Sequence, residues 1–198
     1  MFLRLLAVAG GALSTATTAC GGRPSPPVPA PEPEPAHTAT APVFVPIPDA
    51  NTLAIVRMAN NVEVAYAIIA ARRARTSTVK TLLRRERTSH TTLNTAVDRL
   101  AEQIGIEPRE GDVSQLLYEQ SLPRRDSLRT LSGRRFDSAY VDLEVRSHRE
   151  LIVAIDSVFL RSVQNPALES YLTDSLRPAV AAHLAQAKRL QSTLAPRQ

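Results

Sequence analysis

Four stretches of the chain carry apolar residues at alternating steps of three and four, the spacing typical of helices that pack against other helices. They cover about 49–74, 77–104, 137–158 and 166–194. We call the line of apolar residues along one face of a helix its seam. The clearest seam belongs to the second stretch and runs through Val79, Leu83, Leu93, Val97, Leu100 and Ile104. No segment has a comparable strand pattern. The sequence therefore predicts an all-α fold, a bundle of four long helices.

Capping and breaking residues set the predicted boundaries of these helices. Gly105 ends the second helix, and Asp137 is a good N-cap for the third. Asn165-Pro166 predicts the start of the fourth helix, because Asn caps a helix and Pro suits its first position. Pro178 lies inside the fourth helix and should kink it, since proline lacks the backbone donor.

A long connection, residues 105–136, separates the second and third helices. Its leucines predict one or two short helices, broken at Pro123. The length permits a crossover along the bundle, as in ferritin-like folds, and is also compatible with simple up-down-up-down connectivity. The pattern does not choose between these two topologies.

Extending each helical seam places acids and histidines at positions that the periodicity assigns to the core. Every helix contributes at least one of them: Glu63, Glu86, His90, Glu144, His148 and His183. The repeated Glu-x-x-Ser-His motif puts a carboxylate and an imidazole one turn apart on the same face. Distances along the helices from the interhelical turns also predict that these groups lie at similar heights.

Carboxylate and imidazole groups in a bundle core are costly unless they are paired, hydrated or bound to a metal. This donor set suits iron, manganese or zinc, so the six residues predict a metal site. The most specific form of this hypothesis is a site for two metal ions. The competing interpretation is structural: buried pairs of Glu with His, or with Arg57, Arg87 or Arg146, would hold the helices in register.

The first nineteen residues read as a signal peptide, with one basic residue and an apolar core too short to span a membrane. Thr17-Thr18-Ala19 precedes Cys20, the only cysteine, and resembles the lipobox of bacterial lipoproteins, in which the cysteine is acylated. The lipobox usually has Leu where this chain has Thr17, so cleavage that releases a soluble protein stays open. The resemblance implies a membrane anchor at Cys20 and a cell-envelope location, in the periplasm and anchored to the outer membrane.

Residues 20–48 form a proline-rich linker that holds ten of the fifteen prolines. Such a segment cannot build a core and adopts extended polyproline II conformations. The chain is thus divided into a signal peptide at 1–19, a linker at 20–48 and a helical domain at 49–195.

The net charge of +5 comes mostly from arginine, with a basic band between Arg72 and Arg87. We predict no nucleic-acid partner, because export argues against one and aromatic residues for base stacking are absent from the band. No phosphate loop or nucleophile elbow is present. We therefore expect a structural, partner-binding or stress-related role in the envelope, with an envelope protein as a candidate partner. A metal-binding protein or metal-dependent oxidase is the alternative.

Three short motifs stand out in the predicted domain: Phe136-Asp137-Ser138-Ala139-Tyr140 before His148, Leu176-Arg177-Pro178 before His183-Leu184, and Ser89-His90. Through these motifs the stretch from Asp49 to Leu194 resembles the domain of unknown function 4142 family, whose members are exported bacterial proteins with a ferritin-like fold. The match at Ser89-His90 is looser, because the family often has Asp before the histidine. The resemblance implies fold and export, and no established activity.

True ferritins differ from this chain in their metal ligands. Their di-iron signature is Glu-x-x-His, whereas this chain has Glu-x-x-x-His at Glu86–His90 and Glu144–His148. The predicted fourth helix offers His183 and no matching acid. A single-metal or histidine-rich site therefore fits better than ferritin-type ferroxidase chemistry.

Overall fold

The computed structural model describes residues 44–194; the predicted signal peptide, Cys20 and the linker as far as residue 43 lie outside this range. The described chain contains five helices and no strand, which confirms the all-α fold. The first three helices are α1 (Asp49–Arg73), α2 (Ser77–Ile104) and α3 (Asp112–Thr130). The composite helix α4 joins Gly133–Ala154, π-helical Ile155–Phe159 and Leu160–Ser162, and α5 joins Pro166–Ser170, π-helical Tyr171–Leu176 and Arg177–Leu194.

Two tight turns make hairpins of α1 with α2 and of α4 with α5. At the first turn the Thr76 side chain accepts a hydrogen bond from the backbone N–H of Val79 at 3.3 Å. At the second, Asn165 accepts from the N–H groups of Ala167 and Leu168, at 2.9 and 3.3 Å. Asn165 is thus the predicted N-cap, and Pro166 occupies the first position of the helix.

Two aspartates fix how the hairpins are oriented. The Asp137 carboxylate, near the start of α4, accepts hydrogen bonds from the backbone N–H groups of Arg75 and Thr76, both at 2.9 Å. At the opposite end Asp49, at the start of α1, accepts from Gln164 and Asn165 in the α4–α5 turn, at 3.1 and 2.8 Å. The helices α2 and α4 therefore start at the same end of the bundle and run parallel.

A crossover follows from this arrangement. The chain leaves α2 at one end of the bundle, and α3 packs along α1 to return it to the other end, where α4 begins. One long crossover between two helical hairpins is the topology of ferritin-like bundles. The structure thus decides between the two connectivities that the sequence left open.

The predicted start of the third long helix was wrong by four residues. The helix α4 begins at Gly133 rather than after Asp137, and Gly133 adopts a left-handed φ of 63° that favours glycine. Asp137 lies inside the helix and caps the α1–α2 turn instead. Asp137 does cap backbone N–H groups, as predicted, but these groups belong to a distant part of the chain.

The predicted break at Pro123 was also wrong, because α3 continues through it. Pro123 and Glu119, whose carbonyl would have accepted the missing hydrogen bond, are both exposed. Water can therefore solvate that carbonyl, which lowers the cost of proline in the helix.

The helix α5 likewise continues through Pro178. The π-helical segment Tyr171–Leu176 lies directly before it. The wider π-helical turn displaces the carbonyls that the proline ring would otherwise contact. The departure from α-helical geometry therefore lies next to Pro178, where the sequence predicted a kink.

The apolar core of the bundle consists of two separate clusters. One contains Leu53, Val97 and Phe159, and the other contains Leu82, Phe136 and Val141. The predicted site residues lie between these clusters along the helices, so a polar layer divides the core. The helix α1 is long and apolar enough to span a membrane, but it is mostly buried within the bundle and carries buried Asn60 and Glu63, as expected of a core helix.

Candidate metal centre

All six acids and histidines predicted from the seams are buried. Glu86, His90, Glu144 and His148 are at most 1 % exposed, whereas Glu63 is 7 % and His183 is 9 % exposed. They form two adjoining groups that share His148: Glu86, His90, His148 and His183 in one, and Glu63, Glu144 and His148 in the other. Within each group one ligand atom per residue lies within 4.8 Å of the others.

The first group, called the histidine site below, is centred on one carboxylate oxygen of Glu86. Its Oε2 lies 2.9 Å from His183 Nδ1, 3.5 Å from His90 Nε2 and 3.6 Å from His148 Nε2. The two Nε2 atoms are 3.4 Å apart. The three rings are almost equidistant, with centroids 5.0 to 5.5 Å apart. Three imidazoles and one carboxylate from three helices therefore converge on a single point.

Hydrogen bonds on the far side of two rings fix their tautomers. His90 Nδ1 lies 2.9 Å from Asn60 Oδ1, and His148 Nδ1 lies 2.9 Å from the backbone carbonyl of Glu144. Both partners are acceptors, with Asn60 oriented as in the structure, so each Nδ1 carries the hydrogen. Both Nε2 atoms then turn a lone pair toward Glu86 when the rings are neutral.

The converging atoms are all possible metal ligands, and the shortest contact among them joins His183 Nδ1 to Glu86 Oε2. Neither oxygen of Glu86 has a hydrogen-bond partner, and the short contact with His183 lacks hydrogen-bond alignment. Ligands about 2.0–2.2 Å from a tetrahedral metal ion are about 3.3–3.6 Å from one another. Three of the four distances given above match this spacing, and the fourth is shorter. The site has the dimensions of a cage for one metal ion.

The pKa values of Glu86 and His148 are both lowered in the histidine site. Burial would raise the pKa of Glu86, but the short contacts with His183 and His90 and the charges of His148 and His183 outweigh burial and lower this pKa to about 2. Burial lowers the pKa of His148, with the neighbouring His90 and His183 acting in the same direction against Glu63 and Glu86. An ionised carboxylate and a neutral imidazole are the forms that bind metals.

The second group, called the carboxylate pocket below, is rich in oxygen. Glu144 Oε2 lies 3.5 Å from His148 Nδ1. Both oxygens of Glu144 and Oε2 of Glu63 lack a hydrogen-bond partner. Burial, followed by the charges of Glu63 and Glu86, raises the pKa of Glu144 well above its usual value. Burial, with Glu144 and other nearby acids, also raises the pKa of Tyr140.

A family model described as a domain of unknown function, DUF4142, matches residues 32–190. The chain belongs to this family. No curated protein and no solved structure matches it significantly.

The segment that suggested the DUF4142 family, residues 136–140, has visible roles in the fold. Phe136 stacks on Tyr140 with ring centroids 5.9 Å apart, and Asp137 caps the α1–α2 turn. Tyr140 also borders the carboxylate pocket through its interaction with Glu144. The motif thus links the start of α4 to the polar layer.

The arginines considered as partners for the buried acids lie elsewhere in this DUF4142 domain. Arg57 contacts Asp98 at 3.4 Å at the surface, and Arg87 and Arg146 are exposed. Pairing with these three residues therefore does not account for the buried carboxylates.

Sequence reasoning missed Asn60 and the chemical part played by Tyr66 and Tyr140. Asn60 lies four residues after Val56 and three before Glu63, so the seam of α1 passes through it and could have revealed it. The sequence pattern places Tyr66 and Tyr140 among the seam and motif residues, yet each is fully buried and interacts with an acid of the site, Tyr66 with Glu63 and Tyr140 with Glu144. Their hydroxyls belong to the same polar layer.

Proposed function

We propose that this protein binds one transition-metal ion in the cell envelope through His90, His148, His183 and Glu86. The observation that carries this proposal is the convergence of the two Nε2 atoms, 3.4 Å apart, on a carboxylate that has no hydrogen-bond partner. His90 Nδ1 and His148 Nδ1 already make hydrogen bonds on the far side of their rings. The lone pairs of the two Nε2 atoms and the negative charge of Glu86 therefore meet in a buried space. A cation between them removes the repulsion.

A metal ion fits this space better than a proton does. A proton on His148 would create a charged imidazolium in a site where burial lowers the pKa of that residue. A proton can also join only two of the atoms, whereas four ligand atoms lie within 4.8 Å of one another. A metal ion can contact all four at once.

The donor set favours zinc or iron(II). Imidazole nitrogen suits zinc, iron, copper and nickel, whereas manganese and magnesium prefer oxygen ligands. Four protein ligands at tetrahedral spacing also leave no open position, which is typical of sites that hold a metal rather than activate water. We therefore propose metal binding as the role of the site, in preference to the oxidase alternative.

The proposed location rests on the N-terminal sequence. A signal peptide at 1–19 and Cys20 in a lipobox-like context support export and acylation, and residues 20–48 would act as a stalk. Several acyl chains are needed for stable attachment to a membrane, and a bacterial lipoprotein carries them at its N-terminal cysteine. The domain would then hold its metal at the membrane surface of the envelope.

Elemental analysis tests the proposal. Protein purified without a His tag, or reconstituted with zinc or iron(II), should contain about one zinc or iron ion per chain, since the described residues include one such set of three histidines and a carboxylate. The His90→Ala, His148→Ala double variant should lose this metal. His37→Ala is the matched control, because His37 lies in the proline-rich segment, and it should retain the metal. Absence of metal after reconstitution would overturn the proposal.

A further inference from the structure

The carboxylate pocket contains more unsatisfied oxygen than the histidine site does. Three carboxylate oxygens in this part of the polar layer lack a hydrogen-bond partner: Glu63 Oε2, Glu144 Oε1 and Glu144 Oε2. The hydroxyl of Tyr140 interacts with Glu144. Glu144 is fully buried, and Glu63 is 7 % exposed. Buried carboxylates without partners are costly unless a cation neutralises them.

We propose that Glu63 and Glu144 hold a second divalent cation, of the oxygen-preferring class of Mn²⁺ or Mg²⁺, next to the transition metal of the histidine site. Glu63 lies on α1 and Glu144 on α4, so this cation would join two helices from different hairpins. Water and the neighbouring tyrosine hydroxyls would complete its coordination.

The inference rests on the proposed function, because the first ion determines what His148 can do. With a metal on Nε2 and with Nδ1–H donated to the Glu144 carbonyl, both ring nitrogens of His148 are engaged. The ring then has no capacity left to neutralise the two carboxylates of the pocket. The positive charge beside Glu63 and Glu144 must then come from another group, and a second cation would supply it.

The two sites are separated by the His148 ring. Glu86 Oε2 approaches the ring at Nε2, at 3.6 Å, and Glu144 Oε2 approaches it at Nδ1, at 3.5 Å. Two ions on opposite sides of an imidazole lie farther apart than the about 3.5–4 Å of carboxylate-bridged two-metal sites. The sites should therefore fill independently and select different metals, nitrogen ligands favouring zinc or iron and oxygen ligands favouring manganese or magnesium.

A sequential titration tests this proposal. The metal-free protein is first saturated with Zn²⁺ and then titrated with Mn²⁺, with free Mn²⁺ followed by electron paramagnetic resonance and bound Zn²⁺ by elemental analysis. We expect one Zn²⁺ and one Mn²⁺ per chain. Glu63→Gln and Glu144→Gln should each weaken Mn²⁺ binding by at least about tenfold, the loss typical of a disturbed metal site, and leave the bound Zn²⁺ unchanged.

Retained Zn²⁺ reports that each variant is folded, and Glu102→Gln on the surface of α2 is the control that should bind both metals. If the wild-type protein binds Zn²⁺ and no Mn²⁺, this inference is overturned and the proposed function stands. If Mn²⁺ binding survives both substitutions, the inference is likewise overturned, because the ion lies elsewhere. If neither metal binds, the proposed function fails together with the inference.

Discussion

Glu86 on α2 and His183 on α5 bring a carboxylate oxygen and an imidazole nitrogen to 2.9 Å from one another in the middle of the bundle. These helices belong to different hairpins, and their contact completes a site to which α4 contributes His148. The polar layer therefore crosses the interface between the two hairpins. Any ion bound there would hold the hairpins together, so metal binding and the stability of the bundle should be coupled.

Asn60 should control metal affinity without touching the metal. Its Oδ1 accepts from His90 Nδ1 and fixes the tautomer that binds. We expect Asn60→Ala to weaken zinc binding by about 10–100-fold, as the loss of such outer partners does, and Asn60→Asp to preserve binding. Competition with a chelating dye measures the affinity.

Asn61→Ala is the matched control for this experiment, because Asn61 is exposed and bonds to Asn94 at 2.6 Å. It should bind zinc as the wild type does. Equal affinities for Asn60→Ala and Asn61→Ala would contradict the role assigned to the His90–Asn60 hydrogen bond.

Glu144 should reduce the stability of the metal-free protein at neutral pH. Burial and the charges of Glu63 and Glu86 raise the pKa of Glu144 well above its ordinary value of 4.5. Its contribution to stability is therefore fully present below the unfolded pKa of about 4.5 and is lost as the pH rises through the folded pKa. We expect metal-free Glu144→Gln to be more stable than the wild type at pH 7.5, on the order of 1–3 kcal/mol.

Urea unfolding in the presence of a chelator measures this effect at pH 7.5 and at pH 4. The advantage of Glu144→Gln should shrink at the lower pH, where the wild-type carboxyl is protonated in both states. The surface control Glu102→Gln should show no such dependence. An advantage that persists or grows at pH 4 would speak against the raised pKa.

The two turn-capping aspartates should differ in their importance. Asp137 is fully buried and satisfies two backbone N–H groups, so Asp137→Ala should cost roughly 1–3 kcal/mol of unfolding free energy. Asp49 is partly exposed, and water can replace it. Asp49→Ala should therefore cost only about 0.5–1.5 kcal/mol, the net value of an ordinary hydrogen bond.

Thermal or urea unfolding of the two alanine variants in parallel distinguishes these costs. A larger loss for Asp49→Ala than for Asp137→Ala would show that burial does not govern the strength of these caps.

Cys20 should determine where the protein is found. Acylation would tether the chain to a membrane, so Cys20→Ser should move it from the membrane fraction to the soluble fraction of the envelope. Immunoblotting of fractionated cells measures the distribution. An unchanged distribution of the serine variant would eliminate the lipid anchor.

The residues of the site could be predicted because helical periodicity alone decides which side chains face inward. Extending the seam from Leu83 to Leu93 necessarily includes Glu86 and His90, and the same holds for Glu144 and His148 between Val141 and Leu151. Which pairs of groups would meet could not be read in this way. That Glu86 rather than Glu63 joins the three histidines depends on how the helices are rotated and packed.

The boundaries and breaks were predictable only where local chemistry decided them. Asn165-Pro166 caps its own helix, and both residues behaved as predicted. Asp137 caps a turn more than sixty residues earlier in the chain, which no local pattern reveals. The helix continues through Pro123 because exposure lets water solvate the freed carbonyl. This exposure is a property of the packed fold, so the sequence alone predicted a break.

X-ray absorption at the metal edge of the zinc-reconstituted protein tests the central claim most directly, because imidazole rings give distinctive outer-shell scattering. We expect one zinc environment with nitrogen and oxygen ligands at about 2.0–2.2 Å and scattering from three imidazoles. One imidazole should be lost in His183→Ala, the most exposed of the three histidines. Zinc bound with no imidazole scattering, or with the same scattering in His183→Ala, would contradict the account.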